Sequence, residues 1–262
     1  MLRKLCKYEL KASGRVYLVR YAAMLASALV MGLVCFTDLA QGMAGAVIAI
    51  IYILVIWTML VLSLVQGISR FNKNLLKGEG YLMHTLPVST WQLVLSKLLT
   101  GMLMMVATVL VALLSAGVLV STITIAEGGV SVLGDIWRAA VQTFFDSQLI
   151  HGSLTIPWAL LIALLGYANF LLMAYAGMAV GQLFHRCRDG IAVAVFFLLG
   201  TLEQWIAAGG GALVVTTPAG KYILGDASQT LTYGATTLWL LILGVFHFFL
   251  AEELLRRRLN LE

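Results

Sequence analysis

Six long apolar runs, separated by shorter polar segments, make up most of the 262-residue chain. They extend over Val16–Thr37, Met43–Ser69, Lys97–Ile123, Leu154–Phe184, Ile191–Val214 and Tyr233–Leu255. Each exceeds the roughly 20 residues that an α-helix needs to cross about 30 Å of hydrocarbon. The strands of an outer-membrane barrel would instead alternate polar and apolar residues, which these runs do not. The pattern therefore predicts an all-α, polytopic membrane protein with six transmembrane helices.

Composition supports this fold class. Hydrophobic residues make up 61% of the chain and charged residues only 11%, with a mean hydropathy of +0.97. A soluble domain carries about 25% charged residues, so this chain has too little polar surface to be stable in water. The net charge of +5 does not indicate nucleic-acid binding, because the cations flank the apolar runs. Cys6, Cys35 and Cys187 have no metal-ligand spacing, and no disulfide framework is expected.

The positions of the cations predict the orientation. Of the 17 Lys and Arg residues, only Arg138 and Lys221 fall in the segments after odd-numbered spans. Arg20 lies just inside the first span, and all the others precede that span or lie in or beside the segments after even-numbered spans. Basic residues concentrate on the cytoplasmic side of membrane proteins. Both termini are therefore expected in the cytoplasm.

Two polar segments are expected to form helices at the membrane surface. Residues 1–15 are rich in lysine and predict a cytosolic interfacial helix that leads into the first span. Within the extracytoplasmic loop 124–153, apolar residues recur at helical spacing around Trp137. This loop is interpreted either as an interfacial helix on the outer leaflet or as a cap packed on the ends of the spans.

The basic segment 70–97, between the second and third spans, is the most informative part of the chain. Tyr81, Leu82 and Leu86 provide an apolar face after a flexible turn at Gly78-Glu79-Gly80. Pro87 stops any preceding helix, and Ser89 or Thr90 can cap the next one. The spacing predicts a short helix parallel to the membrane, a proline corner and a turn into the third span. An ordinary connecting loop remains the alternative.

This segment resembles the first cytosolic loop of ABC-2-type transporter permeases, which reads roughly E-x-G-T-L-E-x-L-x-x-x-P-V-S and then G-K or S-K. The matching positions are Glu79, Gly80, Leu82, Leu86, Pro87, Val88, Ser89, Ser96 and Lys97. Tyr81 replaces the usual threonine, and His84 stands near the position of the family's second glutamate. The chain ends, KYELKASGR and RRRLNLE, also resemble a Gram-positive branch of that family.

The resemblance implies one transmembrane permease domain over residues 1–262, belonging to an ABC exporter in the cytoplasmic membrane of a bacterium. Two copies of a cytosolic ABC ATPase and a second permease chain, identical or homologous, would be its partners. ATP and Mg would bind to the ATPase, because this chain has no P-loop motif. The residues that would couple the permease to the ATPase are Glu79, Gly80, Tyr81, Leu82, Leu86 and Pro87. The implied cargo is amphipathic: a peptide, an antimicrobial, a lipid or a drug.

Polar residues inside the spans are candidates for the transport pathway. Glu203 lies about halfway along the fifth span, where a charge is costly unless it faces a cavity or a partner. It is interpreted either as a pathway residue or as a protonated glutamate bound to a neighbouring helix or to a second copy. Gln204, Gln66 and Asn169 are further candidates.

Two other function classes are alternatives to an ABC permease. An ATP-independent secondary transporter or channel could use Glu203 as its ion-coupling residue. An intramembrane CAAX-type protease is suggested by Glu252-Glu253-x-x-x-Arg257 and by His185-x-x-x-Asp189. Its motifs occur here in the wrong order, and arginines beside the two glutamates can neutralise them. No catalytic residue and no metal site are predicted, and His151, His185 and His247 are expected to be isolated interface or packing residues.

Overall fold

The computed structural model describes residues 2–37, 43–76, 88–128, 155–184, 187–216 and 228–257, and residues 134, 135, 138, 139 and 142. Over these residues the chain forms six long α-helices and no strand. The helices are α1 (Leu2–Val34), α2 (Met43–Phe71), α3 (Thr90–Gly128), α4 (Thr155–Gly181), α5 (Arg188–Thr216) and α6 (Ser228–Arg257). All six are long and apolar enough to cross a membrane. The predicted all-α, multi-pass membrane protein is confirmed at this level.

Several helices extend beyond the predicted spans. Helix α1 runs unbroken from Leu2, so residues 2–15 are continuous with the first span. Helix α3 begins at Thr90 rather than Lys97 and has 39 residues, which corresponds to a rise of about 58 Å. Because the hydrocarbon layer is only about 30 Å thick, an apolar pattern marks the membrane-buried part of such a helix but not its ends.

Only parts of the two predicted surface segments can be compared with the structure. In the outer segment, residues 134, 135, 138, 139 and 142 are helical, and Arg138 lies 3.9 Å from Asp135 with both side chains exposed. The remainder of that interfacial helix lies outside the described residues. In segment 70–97, a π-helical turn at Asn72–Leu76 continues α2, and residues 77–87 lie outside the described residues.

The chain divides into two compact units. The N-terminal unit comprises Arg3–Gln66 and Leu99–Thr155, and the C-terminal unit comprises Met1–Leu2, Gly67–Leu98 and Ile156–Glu262.

Tyrosine hydroxyl groups connect the helices of the N-terminal unit. The hydroxyl of Tyr21 on α1 lies 3.1 Å from Thr108 Oγ1 and donates to the Met104 carbonyl oxygen on α3. Tyr52 on α2 lies 3.0 Å from Ser115 Oγ on α3. Such interhelical hydrogen bonds stabilise membrane helices by a few tenths to about 2 kcal/mol each, because lipid offers no competing water.

Helix α4 forms the core of the C-terminal unit. Its residues from Tyr167 to Gly177 are buried except for Phe170. Tyr175 stacks on Phe71, with ring centroids 4.0 Å apart and an interplanar angle of 7°. The Tyr175 hydroxyl also donates to the carbonyl oxygen of Gly67, over a long 3.4 Å. These contacts fix the end of α2 on α4.

Two glycines allow α4 and α5 to approach closely. A Cβ atom on Gly177 would lie 2.9 Å from the Ala192 carbonyl oxygen, and one on Gly181 would lie 2.6 Å from the Arg188 carbonyl oxygen. Gly177 and Gly181 are four residues apart, which places them on one face of α4. This Gly-x-x-x-Gly arrangement is a known contact motif of membrane helices, and it was missed in the sequence analysis.

Candidate functional site

Three polar side chains from three helices meet inside the C-terminal unit. They are Asn169 near the middle of α4, Glu203 near the middle of α5, and His247 on α6. All three lie well inside long apolar helices, at the depth where lipid cannot supply hydrogen bonds. Asn169 and Glu203 were both predicted as pathway residues, and the structure brings them together. We call these three residues the intramembrane cluster.

Each member of the intramembrane cluster contacts both of the others. His247 Nδ1 lies 3.0 Å from Asn169 Oδ1, and Asn169 Nδ2 donates to Glu203 Oε2 over 3.3 Å. His247 Nε2 lies 3.1 Å from Glu203 Oε1. The three contacts form a closed ring of polar groups that joins α4, α5 and α6.

Burial differs between the members of the cluster. The His247 side chain is 1% exposed, whereas that of Glu203 is 16% exposed. Glu203 Oε1 has no well-aligned hydrogen-bond donor among the described residues, although His247 Nε2 is close to it. The contact is therefore a close approach of charged or polar atoms rather than a linear hydrogen bond. In Glu203, the oxygen Oε1 accepts no described hydrogen bond. The Glu203 side chain is also more exposed than that of His247.

Gln204 and Gln66 do not belong to the cluster. Gln204 is exposed and lines an open cavity of about 250 Å³ in the C-terminal unit. The other lining residues are Met173, Phe196, Phe197, Gly200, Thr201 and Trp205. Gln66 is half-buried on α2 and belongs to the N-terminal unit. Of the four predicted pathway residues, the structure brings only two into contact.

The predicted coupling residues Glu79, Gly80, Tyr81, Leu82, Leu86 and Pro87 lie outside the described residues. The segments on either side of them are described. Leu75 and Leu76 in the π-helical turn are buried. On the other side, Thr90 begins α3 and its Oγ1 donates to Glu252 Oε1 on α6 over 3.0 Å. Both flanks of the segment are therefore fixed within the C-terminal unit.

The expectation that His247 is an isolated packing residue is wrong. It is among the most buried side chains of the protein, and both ring nitrogens contact cluster members. One signal was present in the sequence: a carboxyl group within an apolar span requires a polar partner, and His247 and Asn169 are polar residues within other spans. Sequence spacing alone cannot show that these three helices are neighbours.

The glutamates of the protease-like motif have other partners. Glu253 forms an ion pair with Arg256 over 2.9 Å, in an exposed position. Glu252 accepts the hydrogen bond from Thr90, and His185 lies outside the described residues. Over the part of the chain that the structure describes, no three His, Cys, Asp or Glu side chains are grouped closely enough to bind a metal ion. The described geometry offers no support for a hydrolytic site at these glutamates.

Comparison of the chain with protein-family models, with curated proteins and with solved structures gives no match in any of the three.

Proposed function

We propose that this chain is the permease subunit of an ATP-driven ABC exporter of the ABC-2 type, in the cytoplasmic membrane of a bacterium. The observation that carries the proposal is the ABC-2-like motif of residues 78–99, placed between two membrane-spanning helices. In permeases of this type, the corresponding loop is a coupling helix held in a groove of a cytosolic ATPase. The concentration of cations in the loop and at both chain ends is consistent with a cytosolic position.

The anchoring of the loop supports a coupling role. A segment that transmits movement from an ATPase must be attached firmly to the helices that it moves. Here the π-helical turn enters the segment from α2 with Leu75 and Leu76 buried, and Thr90 leaves it bonded to Glu252 of α6. A displacement of residues 77–87 would therefore act on α2, α3 and α6.

The chemistry of the chain agrees with a transport subunit powered by another protein. It contains no P-loop motif, so the ATPase and its ATP and Mg would be supplied by a partner chain. Two ATPases and two permeases, identical or homologous, would form the complete exporter. An amphipathic cargo is favoured by the scarcity of charged residues within the spans.

Affinity purification from native-host membranes in mild detergent, followed by mass spectrometry, tests the proposal. We expect a stoichiometric ATPase to co-purify with the wild-type chain and to be lost with Leu82→Asp. Leu82→Met retains the apolar side chain and serves as one control. Thr217→Asp adds the same charge to a loop on the opposite predicted side, and should retain the ATPase. Absence of any ATPase from the wild-type purification would refute the proposal.

A second candidate function is favoured by the intramembrane cluster. Acidic and histidine side chains within membrane helices mark proton pathways in transporters, so the cluster is consistent with a secondary transporter that works without ATP. Reconstitution into vesicles that contain a pH-sensitive dye distinguishes the two functions. Proton entry driven by an imposed potential, without ATPase and lost in Glu203→Gln, would support the second candidate and oppose the first.

A further inference from the structure

We propose that Asn169, Glu203 and His247 form an intramembrane proton-binding site, in which one proton is shared between the Glu203 carboxyl group and the His247 imidazole. The inference goes beyond the proposed function, because it follows from the hydrogen-bonding geometry and holds with or without an ATPase. Its ligand is a proton, and its three donors and acceptors lie on three different helices.

The first argument is the proton count required by the three contacts. The amide oxygen of Asn169 can only accept, so His247 Nδ1, 3.0 Å away, must carry a proton. The amide nitrogen donates to Glu203 Oε2. This leaves His247 Nε2 and Glu203 Oε1 3.1 Å apart. If neither atom carried a proton, a carboxylate oxygen would lie 3.1 Å from an unprotonated ring nitrogen, with no described donor to that oxygen.

The other orientation of the Asn169 amide leads to the same count. Amide oxygen and nitrogen are interchangeable in shape, so both orientations must be considered. With the amide reversed, His247 Nδ1 accepts from the amide nitrogen, and Nε2 carries the imidazole proton toward Glu203 Oε1. The amide oxygen then faces Glu203 Oε2, which must be protonated to donate. In either orientation, the Glu203–His247 pair holds one proton more than a carboxylate beside a neutral imidazole.

The surroundings favour retention of this proton. With it, the pair has no net charge; without it, a carboxylate is left near the middle of a membrane helix with one amide donor. A single charge at that depth is strongly unfavourable. The Glu203 side chain is 16% exposed, compared with 1% for His247, so the carboxyl side of the pair is the less enclosed.

The hydrogen bonds and ion pairs described for the cluster join its own three members. Other charged and titratable residues of the C-terminal unit are Arg70, Lys73, Lys97, Tyr167, Tyr175, Cys187, Arg188, Asp189, Tyr233, Glu252, Glu253 and Arg256. On α5, Asp189 is 14 residues from Glu203, or about 21 Å along the helix. On α6, Glu252 is five residues from His247, and its described bond is to Thr90.

Vibrational spectroscopy and nitrogen NMR of the wild-type protein in a lipid bilayer test the site directly. A carboxylic acid absorbs apart from ionised carboxylates, and the ¹⁵N shifts of histidine report which ring nitrogens carry protons. We expect one of two signatures at neutral pH. Either a carboxylic-acid band is present and disappears in Glu203→Gln, or both ring nitrogens of His247 are protonated. The His247 signal is identified by its loss in His247→Gln.

The finding that would overturn the proposal is a neutral imidazole at His247 combined with no carboxylic-acid band from Glu203. That result would mean that no shared proton is present. Because the measurement is made on wild-type protein, it does not depend on the variants folding. Failure of the ATPase purification would leave this result unaffected, so the two proposals fail separately.

Discussion

Gly181→Ala tests the close packing of α4 on α5 with the addition of a single methyl group. The new Cβ atom would lie 2.6 Å from the carbonyl oxygen of Arg188 and 2.9 Å from Ala192 Cβ. Non-bonded carbon atoms are most stable about 3.5–4.0 Å apart. Because the nearest atom belongs to the backbone, no flexible side chain can move aside. Helix α5 must therefore shift by roughly 0.6 Å or more.

The expected loss of stability in Gly181→Ala follows from this shift. Forcing an extra carbon into a packed contact costs about 1–3 kcal/mol. Alanine has a higher helix propensity than glycine by up to about 1 kcal/mol, but Gly181 is the last residue of α4, where this gain is small. With roughly 2–4 °C per kcal/mol for a chain of this size, we expect the melting temperature to fall by roughly 2–12 °C.

Alanine substitutions of two other glycines of α4 serve as comparisons. Gly177→Ala places Cβ 2.9 Å from the Ala192 carbonyl oxygen, so a smaller loss is expected. Gly166→Ala meets no atom within 4 Å, so it should be neutral or slightly stabilising. Thermal unfolding of the purified proteins in the same detergent, followed by intrinsic fluorescence, measures all three. If Gly181→Ala and Gly166→Ala melt at the same temperature, α4 and α5 do not pack as described.

Three further predictions concern other contacts and the orientation. Thr90→Val and Glu252→Gln should each lower stability by about 1–2 kcal/mol. The double variant should be little less stable than either single variant. Additive losses would show that the two side chains do not interact. Tyr52→Phe and Ser115→Ala should show a coupling of about 0.6 kcal/mol in a double-mutant cycle, and zero coupling would contradict their 3.0 Å contact. In intact cells that carry the Cys6→Ala/Cys35→Ala variant, a membrane-impermeant thiol reagent should not label exposed Cys187 until the membrane is permeabilised. Labelling of Cys187 in intact cells would reverse the proposed orientation.

The sequence by itself determined the six helices. A backbone in lipid must satisfy its own hydrogen bonds, so any apolar run of sufficient length forms a helix there. For this reason all six spans predicted from hydropathy correspond to helices of the structure. The hydropathy pattern defined the ends of the helices less well, as for α3. The reason is that polar residues continue a helix beyond the hydrocarbon layer. The coupling loop and the orientation remain predictions, based on the motif at residues 78–99 and on the cation distribution.

The neighbours of each helix were decided only by the tertiary structure. In lipid, the face that packs against protein and the face that contacts acyl chains are both apolar, so hydropathy does not distinguish them. The apolar windows of α4 and α5 have similar hydropathy, 1.9 and 1.8, yet half of the first and none of the second is buried. The four-residue spacing of Gly177 and Gly181 is typical of a helix contact and could have indicated the one between α4 and α5.

The intramembrane cluster shows the same limit. Glu203 and Asn169 were recognisable individually as polar residues within apolar spans, and His247 was misjudged as isolated. Asn169 is 34 residues from Glu203 and 78 from His247, and no local rule relates positions so far apart. Their meeting depends on the rotation of α4, α5 and α6 about their axes and on their relative depth. The rotation and depth of each helix are set by packing and by the need of each buried polar group for a partner. Only the folded chain provides these partners.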